Sequence, residues 1–283
     1  MSSRPILRPI AHIYLCIVPL IAFILAFTVG RVGPEIYVPI WIAHSFLMLF
    51  FIWHLGAKYA KHPNGHSRSF VAVGLLLIIP WILATIFAGM GPPPFTLANW
   101  AELADEQRIR FCILIVCSVS LAVAFSLINE LAGNDDNPFY SRVALTLILI
   151  AIPIFITVTV FWATVFTDTA ILVSKTPGQA KPEWLAPWRH MIDFLSTIEV
   201  CLFYMATAMV AMAMRKANWL SVNASRAYFF TSLFAFASTL IPSSAPEPLV
   251  ILNYVTGIPA ITMVMPYLIG LALLRRVELL HRS

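Results

Sequence analysis

YVPIWIAHSFLMLFFIWHLGAK, residues 37–58, is the stretch whose reading decides the fold. It carries no Asp, Glu, Lys or Arg before Lys58, and about 20 consecutive apolar residues are what a helix needs to cross hydrocarbon. Two histidines, His44 and His54, interrupt the run. Ten residues apart, they are separated by about 80° around a helix and share no stripe.

Further apolar runs lie at 9–30, 69–89, 109–131, 143–173, 188–214, 227–241 and 249–274. The chain is 60% hydrophobic and 11% charged, with a mean hydropathy of +0.86. A water-facing domain carries about 25% charged residues. Backbone in lipid must satisfy its own hydrogen bonds, so these runs predict helices; a membrane barrel would alternate polar and apolar residues instead. The expected fold class is an all-α integral membrane protein, one transmembrane domain over 1–283, with eight transmembrane helices in contact with the lipid bilayer.

Charge supplies the threading. With the N-terminus in the cytoplasm, twelve of the 18 Lys and Arg residues fall on the cytoplasmic side, and Arg31, Arg108, Arg110, Lys175, Lys181 and Arg189 fall on the other. That bias fits retention of basic residues inside. It predicts an N-in/C-in protein of a bacterial-type inner (cytoplasmic) membrane. The net charge of +5 does not point to nucleic acid, because the basic residues flank apolar segments rather than cluster on a soluble face. The four cysteines, all inside apolar segments, form no disulfide or metal pattern.

Two halves, 1–133 and 134–283, would enter the membrane in the same direction, which makes a parallel 4+4 repeat a candidate. Arg8, Pro19 and Phe27 align without a gap on Arg142, Pro153 and Phe161, and SRSF at 67–70 faces SRAY at 225–228. Apolar segments drawn from a restricted alphabet also produce such coincidences.

Ionisable groups at bilayer depth are costly and mark sites more often than not. Glu199 lies about 16 Å into the sixth run, near the midplane, where a carboxyl must be protonated, paired or facing a cavity. His190 and Asp193 share a face near the outer end of that run, and His44 is expected to meet them from the second run. Tyr204, Asn253 and Tyr254 complete the candidate substrate-binding set. Within GIPAITMVMPYLIG at 257–270, two prolines with flanking glycines predict either a broken helix of the kind that lines transporter sites or a curved packing helix.

No catalytic set emerges: a phosphate loop, nucleophile elbow and HExxH are all missing. His62 and His66 lack the further histidines of a membrane di-iron site, and the acids of NDDNP at 134–138 read as a solvated turn. Two readings remain. The first is a small-solute transporter or permease built around Glu199. The second is a quinone- or haem-interacting subunit of a redox complex, with His12 and His54 as cofactor ligands beside His44 and His190. In span count the chain is similar to the eight-helix anchor subunits of the polysulfide-reductase type, which implies a quinone site by architecture alone. An enzyme acting on lipid head groups is a weaker third. Cofactor, homo-oligomer and membrane-complex partners stay open.

Overall fold

The computed structural model describes residues 7–61, 65–133, 138–176, 181–242 and 244–280, the side chains of 66 and 278–280 excepted. His62 and the acids at 135 and 136 lie outside the described residues.

The described residues fold as helices without strands. They are α1 (Leu7–Thr28), α2 (Pro34–Leu55), α3 (Gly65–Ala84), α4 (Phe87–Met90), α5 (Leu97–Glu102), α6 (Ala104–Ala132) and α7 (Phe139–Phe161). A π-helical turn (Trp162–Phe166) leads into α8 (Thr167–Lys175), followed by α9 (Leu185–Lys216), α10 (Val222–Thr239), α11 (Glu247–Thr256), α12 (Pro259–Thr262) and α13 (Val264–Leu280). Seven of the described helical stretches are long and apolar enough to cross a membrane, which supports a multi-pass membrane protein in contact with lipid. The seventh expected run, α10, is helical but diluted by Asn223, Arg226, Thr231 and Ser232, and does not reach that apolarity.

Neighbouring helices follow the order α10, α9, α7, α6, α3, α13, and a contact between α13 and α10 closes the ring. The α1–α2 hairpin packs outside it, with Ile13, Ile40 and Phe46 facing outward as lipid contact requires. Close approach between α3 and α13 depends on small residues. A Cβ on Gly270 would stand 2.8 Å from Gly74 O, and at the end of α2 one on Gly56 would overlap Leu274 O of α13. In the first half α2 and α3 touch only slightly, whereas α9 and α10 pack along their length.

Prolines inside helices free carbonyls, and neighbouring hydroxyls satisfy them. Pro19 leaves Leu15 O without its donor, and Tyr267 on α13 donates to it at 2.7 Å. Pro80 frees Leu76 O, and Ser120 on α6 donates to it at 2.8 Å. The last run takes the broken alternative. Ile258 is extended (φ −70°, ψ 120°), as a residue before proline tends to be, so α11 stops before Pro259 and the chain restarts in α12. Tyr204 donates to Thr256 O at 2.8 Å, supplying a bond that the interrupted helix does not.

The two ends differ in chemistry. At one, Gly91 takes a left-handed conformation (φ 65°) and an added Cβ would meet Arg31 N at 2.8 Å, which pins the α4 terminus beneath the α1–α2 turn. At the other, Phe70 packs on Trp219 at 4.7 Å and Lys216 stands over Tyr140 at 4.8 Å. These are called the Arg31 end and the Lys216 end below.

Candidate functional site

Charge is gathered at the Arg31 end. Arg31 donates from Nε (3.1 Å) and Nη2 (3.0 Å) to Glu106 Oε2. Arg108 bridges Asp105 at 3.1 Å and Asp168 at 2.7 Å. Arg110 is only 6% exposed; its Nη2 donates to Gly91 O at 2.8 Å and its guanidinium lies 5.4 Å from the centre of the Phe87 ring. Arg110 Nε and Glu106 Oε1 are buried without a hydrogen-bond partner among the described residues.

Behind this layer lies a cavity of about 320 Å³ between α5, α6, the π turn and α9. One wall is a ladder on α9: Arg189, Asp193, Ser196 and Glu199. From Arg189 to Glu199 the helix rises about 15 Å, and the four side chains stay within roughly 120° of one face. Arg189 Nε sits 3.9 Å from Asp193 at the rim. Glu199 closes the ladder at 1% exposure. Ser196 stands one turn before it on the same wall, yet neither Glu199 oxygen completes a hydrogen bond among the described residues.

The opposite wall is aromatic: Trp100, Phe111, Trp162 and Phe166. A π turn inserts an extra residue per turn and re-aims the side chains after it, and such turns are frequent at functional sites. Here Thr167 holds the turn by donating from Oγ1 to Trp162 O at 2.7 Å, and it accepts from Trp100 Nε1 at 2.9 Å. One hydroxyl therefore ties the Trp100 indole to the Trp162 backbone, and the two indole rings lie 5.6 Å apart.

A second cavity, about 520 Å³, reaches toward α1 and contains Trp81, Arg110, Asn253 and the broken stretch around Gly257. The two cavities share Pro93, Asp193, Tyr254 and Pro259 as lining, so the helix break forms part of both walls. A third, of about 340 Å³, lies between α1 and α2 and holds Tyr14, Trp41 and His44.

The expected site residues separate accordingly. Glu199, Asp193 and Tyr254 meet at the first cavity. Asn253 reaches only the second, and its Nδ2 donates to Thr239 O (2.8 Å) and Ile241 O (3.0 Å), which ties α11 to the end of α10. Tyr204 is buried away from the cavities, bonded at the helix break. His190 is exposed on α9. The expected approach of His44 to His190 is not what the packing gives: α2 lies against α1, α13 and α4, while α9 lies against α7 and α10. His44 instead faces Tyr14, with ring centres 6.1 Å apart. His12 Nε2 lies 3.8 Å from Cys16 Sγ, and His54 Nδ1 donates to Phe50 O at 2.8 Å, each on its own helix.

Sequence reasoning missed Arg110, Trp100 and the Trp162–Phe166 wall. A signal for Arg110 exists: Glu106 and Arg110 stand one helical turn apart at the start of a long apolar run, a spacing that brings them onto one face. Among the described residues no group of three or more His, Cys, Asp or Glu is placed to hold a metal ion. Comparison of the chain with protein-family models, with curated proteins and with solved structures gives no match.

Proposed function

We propose that this protein is an inner-membrane permease for a small solute, with Glu199 as the binding and coupling group. Eight spans, α10 and the broken α11–α13 helix being the last two, would put both termini in the cytoplasm and the Arg31 end outside. The charge distribution supports that orientation: threaded this way, the chain has six basic and eight acidic residues on the outer side against twelve and four inside. The observation that carries the reading is Glu199 itself. It is a buried carboxyl approached by the Ser196 hydroxyl but completing no well-formed hydrogen bond among the described residues, on the wall of a cavity whose lining includes an interrupted helix. Leaving a polar group unsatisfied at such depth costs stability, and interrupted helices line binding sites in transporters.

The test is saturable flux in proteoliposomes, run against a panel of small amines, carboxylates and sugars. The reading expects one class to give counterflow that saturates, reduced about tenfold or more by Glu199→Gln, since one lost charged interaction is worth about 1.5–3 kcal/mol. Folded protein that moves no class saturably would contradict it.

A further inference from the structure

We infer that the Glu199 cavity binds a small protonated amine that still carries N–H groups, with the nitrogen at Glu199 and the apolar part against the aromatic wall. The inference deepens the permease reading and rests on it for its physiological meaning, but its chemistry stands on the cavity alone.

Charge balance favours a cation. Among the described residues, the ionisable carboxyl and basic groups lining this cavity are Arg189, Asp193 and Glu199. Arg189 faces Asp193 at 3.9 Å, so one base is matched to one acid at the rim. Glu199 is left as a carboxyl without a cation, and a cationic ligand is the partner that completes the set. An anionic ligand would find no unmatched cation on this lining among the described residues.

Hydrogen bonding narrows the cation to one with N–H groups. Neither Glu199 oxygen has a donor at full hydrogen-bond geometry among the described residues, and the Ser196 hydroxyl that approaches the carboxyl has one proton to offer. An ionised carboxylate accepts up to about four hydrogen bonds, and charge-assisted ones are the strong ones. A primary or secondary ammonium brings two or three N–H donors to one point. A quaternary ammonium brings none, and leaves both oxygens unsatisfied.

The opposite wall suits the same ligand. Aromatic faces attract cations, and the effect grows when water is excluded. The wall already receives one: the Arg189 guanidinium lies 5.9 Å from the centre of the Trp162 ring. Trp100, Phe111 and Phe166 line the same cavity as Glu199, with Trp100 packed on Trp162. At about 320 Å³ the cavity stands at the low end of the range of ligand sites, roughly 300–1,000 Å³, which sets the ligand as small.

The experiment is equilibrium binding to the purified full chain in nanodiscs at pH 7, read by calorimetry and by quenching of tryptophan fluorescence, with benzylamine as the probe. Benzyl alcohol, benzoate and benzyltrimethylammonium serve as shape-matched neutral, anionic and quaternary controls. Benzylamine is expected to bind saturably and about tenfold or more tighter than each control, because the differences are a charge and its hydrogen bonds. Glu199→Gln is expected to erase that preference, and Trp162→Leu to weaken benzylamine severalfold. The control comparison on unaltered protein keeps the test independent of whether a variant folds. Equal affinity for benzylamine and benzyl alcohol, or stronger binding of benzoate, overturns the inference. Amine binding without flux of any solute would contradict the permease reading alone. Flux of a sugar or carboxylate without amine binding would overturn this inference alone.

Discussion

Replacing Glu199 with leucine should make the protein more stable while removing its binding function. Glu199 is 1% exposed, and its two oxygens complete no well-formed hydrogen bond among the described residues, the Ser196 hydroxyl only approaching them. A buried polar group in that condition costs about 1–3 kcal/mol by mutational measures. Leucine keeps a similar length of apolar side chain and has no polar atom to satisfy, and the adjacent cavity gives it room to settle without strain. A gain of about 1–3 kcal/mol is therefore expected, with Glu199→Gln gaining less because its amide also lacks partners. The assay is the unfolding midpoint of purified protein in one detergent, compared among wild type, Glu199→Leu and Glu199→Gln. A stabilised variant without ligand binding is the signature of a functional group held at the expense of stability. Destabilisation of the leucine variant by more than about 1 kcal/mol would refute the reasoning, because that is the loss expected when a satisfied hydrogen bond is broken.

Other consequences follow from the packing. Tyr267→Phe strands Leu15 O, and should cost about 1–2 kcal/mol; Pro19→Ala restores the missing backbone donor, so the double variant should lose less than the sum, a coupling of about 1 kcal/mol measurable in a double-mutant cycle. Gly270→Ala pushes a Cβ to 2.8 Å from Gly74 O and about 3.0 Å from Leu77 and Ile78. It should destabilise by about 1–3 kcal/mol through overpacking, read as a lower unfolding midpoint. Arg31→Gln removes the partner of the buried Glu106 carboxylate and should lower the midpoint clearly, whereas Asp168→Asn breaks an exposed pair and should change stability by about 1 kcal/mol or less.

Much of the helical layout was legible because each span announces itself by length and composition. The break before Pro259 was readable as one of two outcomes, since a residue before proline is driven out of the helical region. Glu199 was legible for a similar reason: an acid within an apolar run has no bland surface role. What could not be read was rotation and partnership. α2 is apolar all round, so nothing in IAHSFLMLFF states which way His44 points, and the helix turned it toward Tyr14 rather than toward α9. FWATVF at 161–166 reads as ordinary apolar helix, yet the π turn depends on Thr167 and on Trp100, a residue 67 positions away. Arg110 looked like a flanking base because its burial depends on carbonyls of the α4 terminus, which only the fold brings to it.

A permease built this way would admit solvent and solute to Glu199 from the Arg31 end, and cysteine accessibility probes that route. With the four native cysteines replaced by alanine, single cysteines are placed at Ser196, beside Glu199, and at Phe95, which is 87% exposed at the mouth of the same cavity. A third, at Lys216, marks the opposite end. A membrane-impermeant maleimide added to sealed vesicles should label positions 95 and 196 from the same side and position 216 only from the other, with benzylamine slowing the labelling of position 196 alone. A cysteine at 196 that stays unlabelled from both sides while 95 and 216 react, in folded protein, would contradict the account.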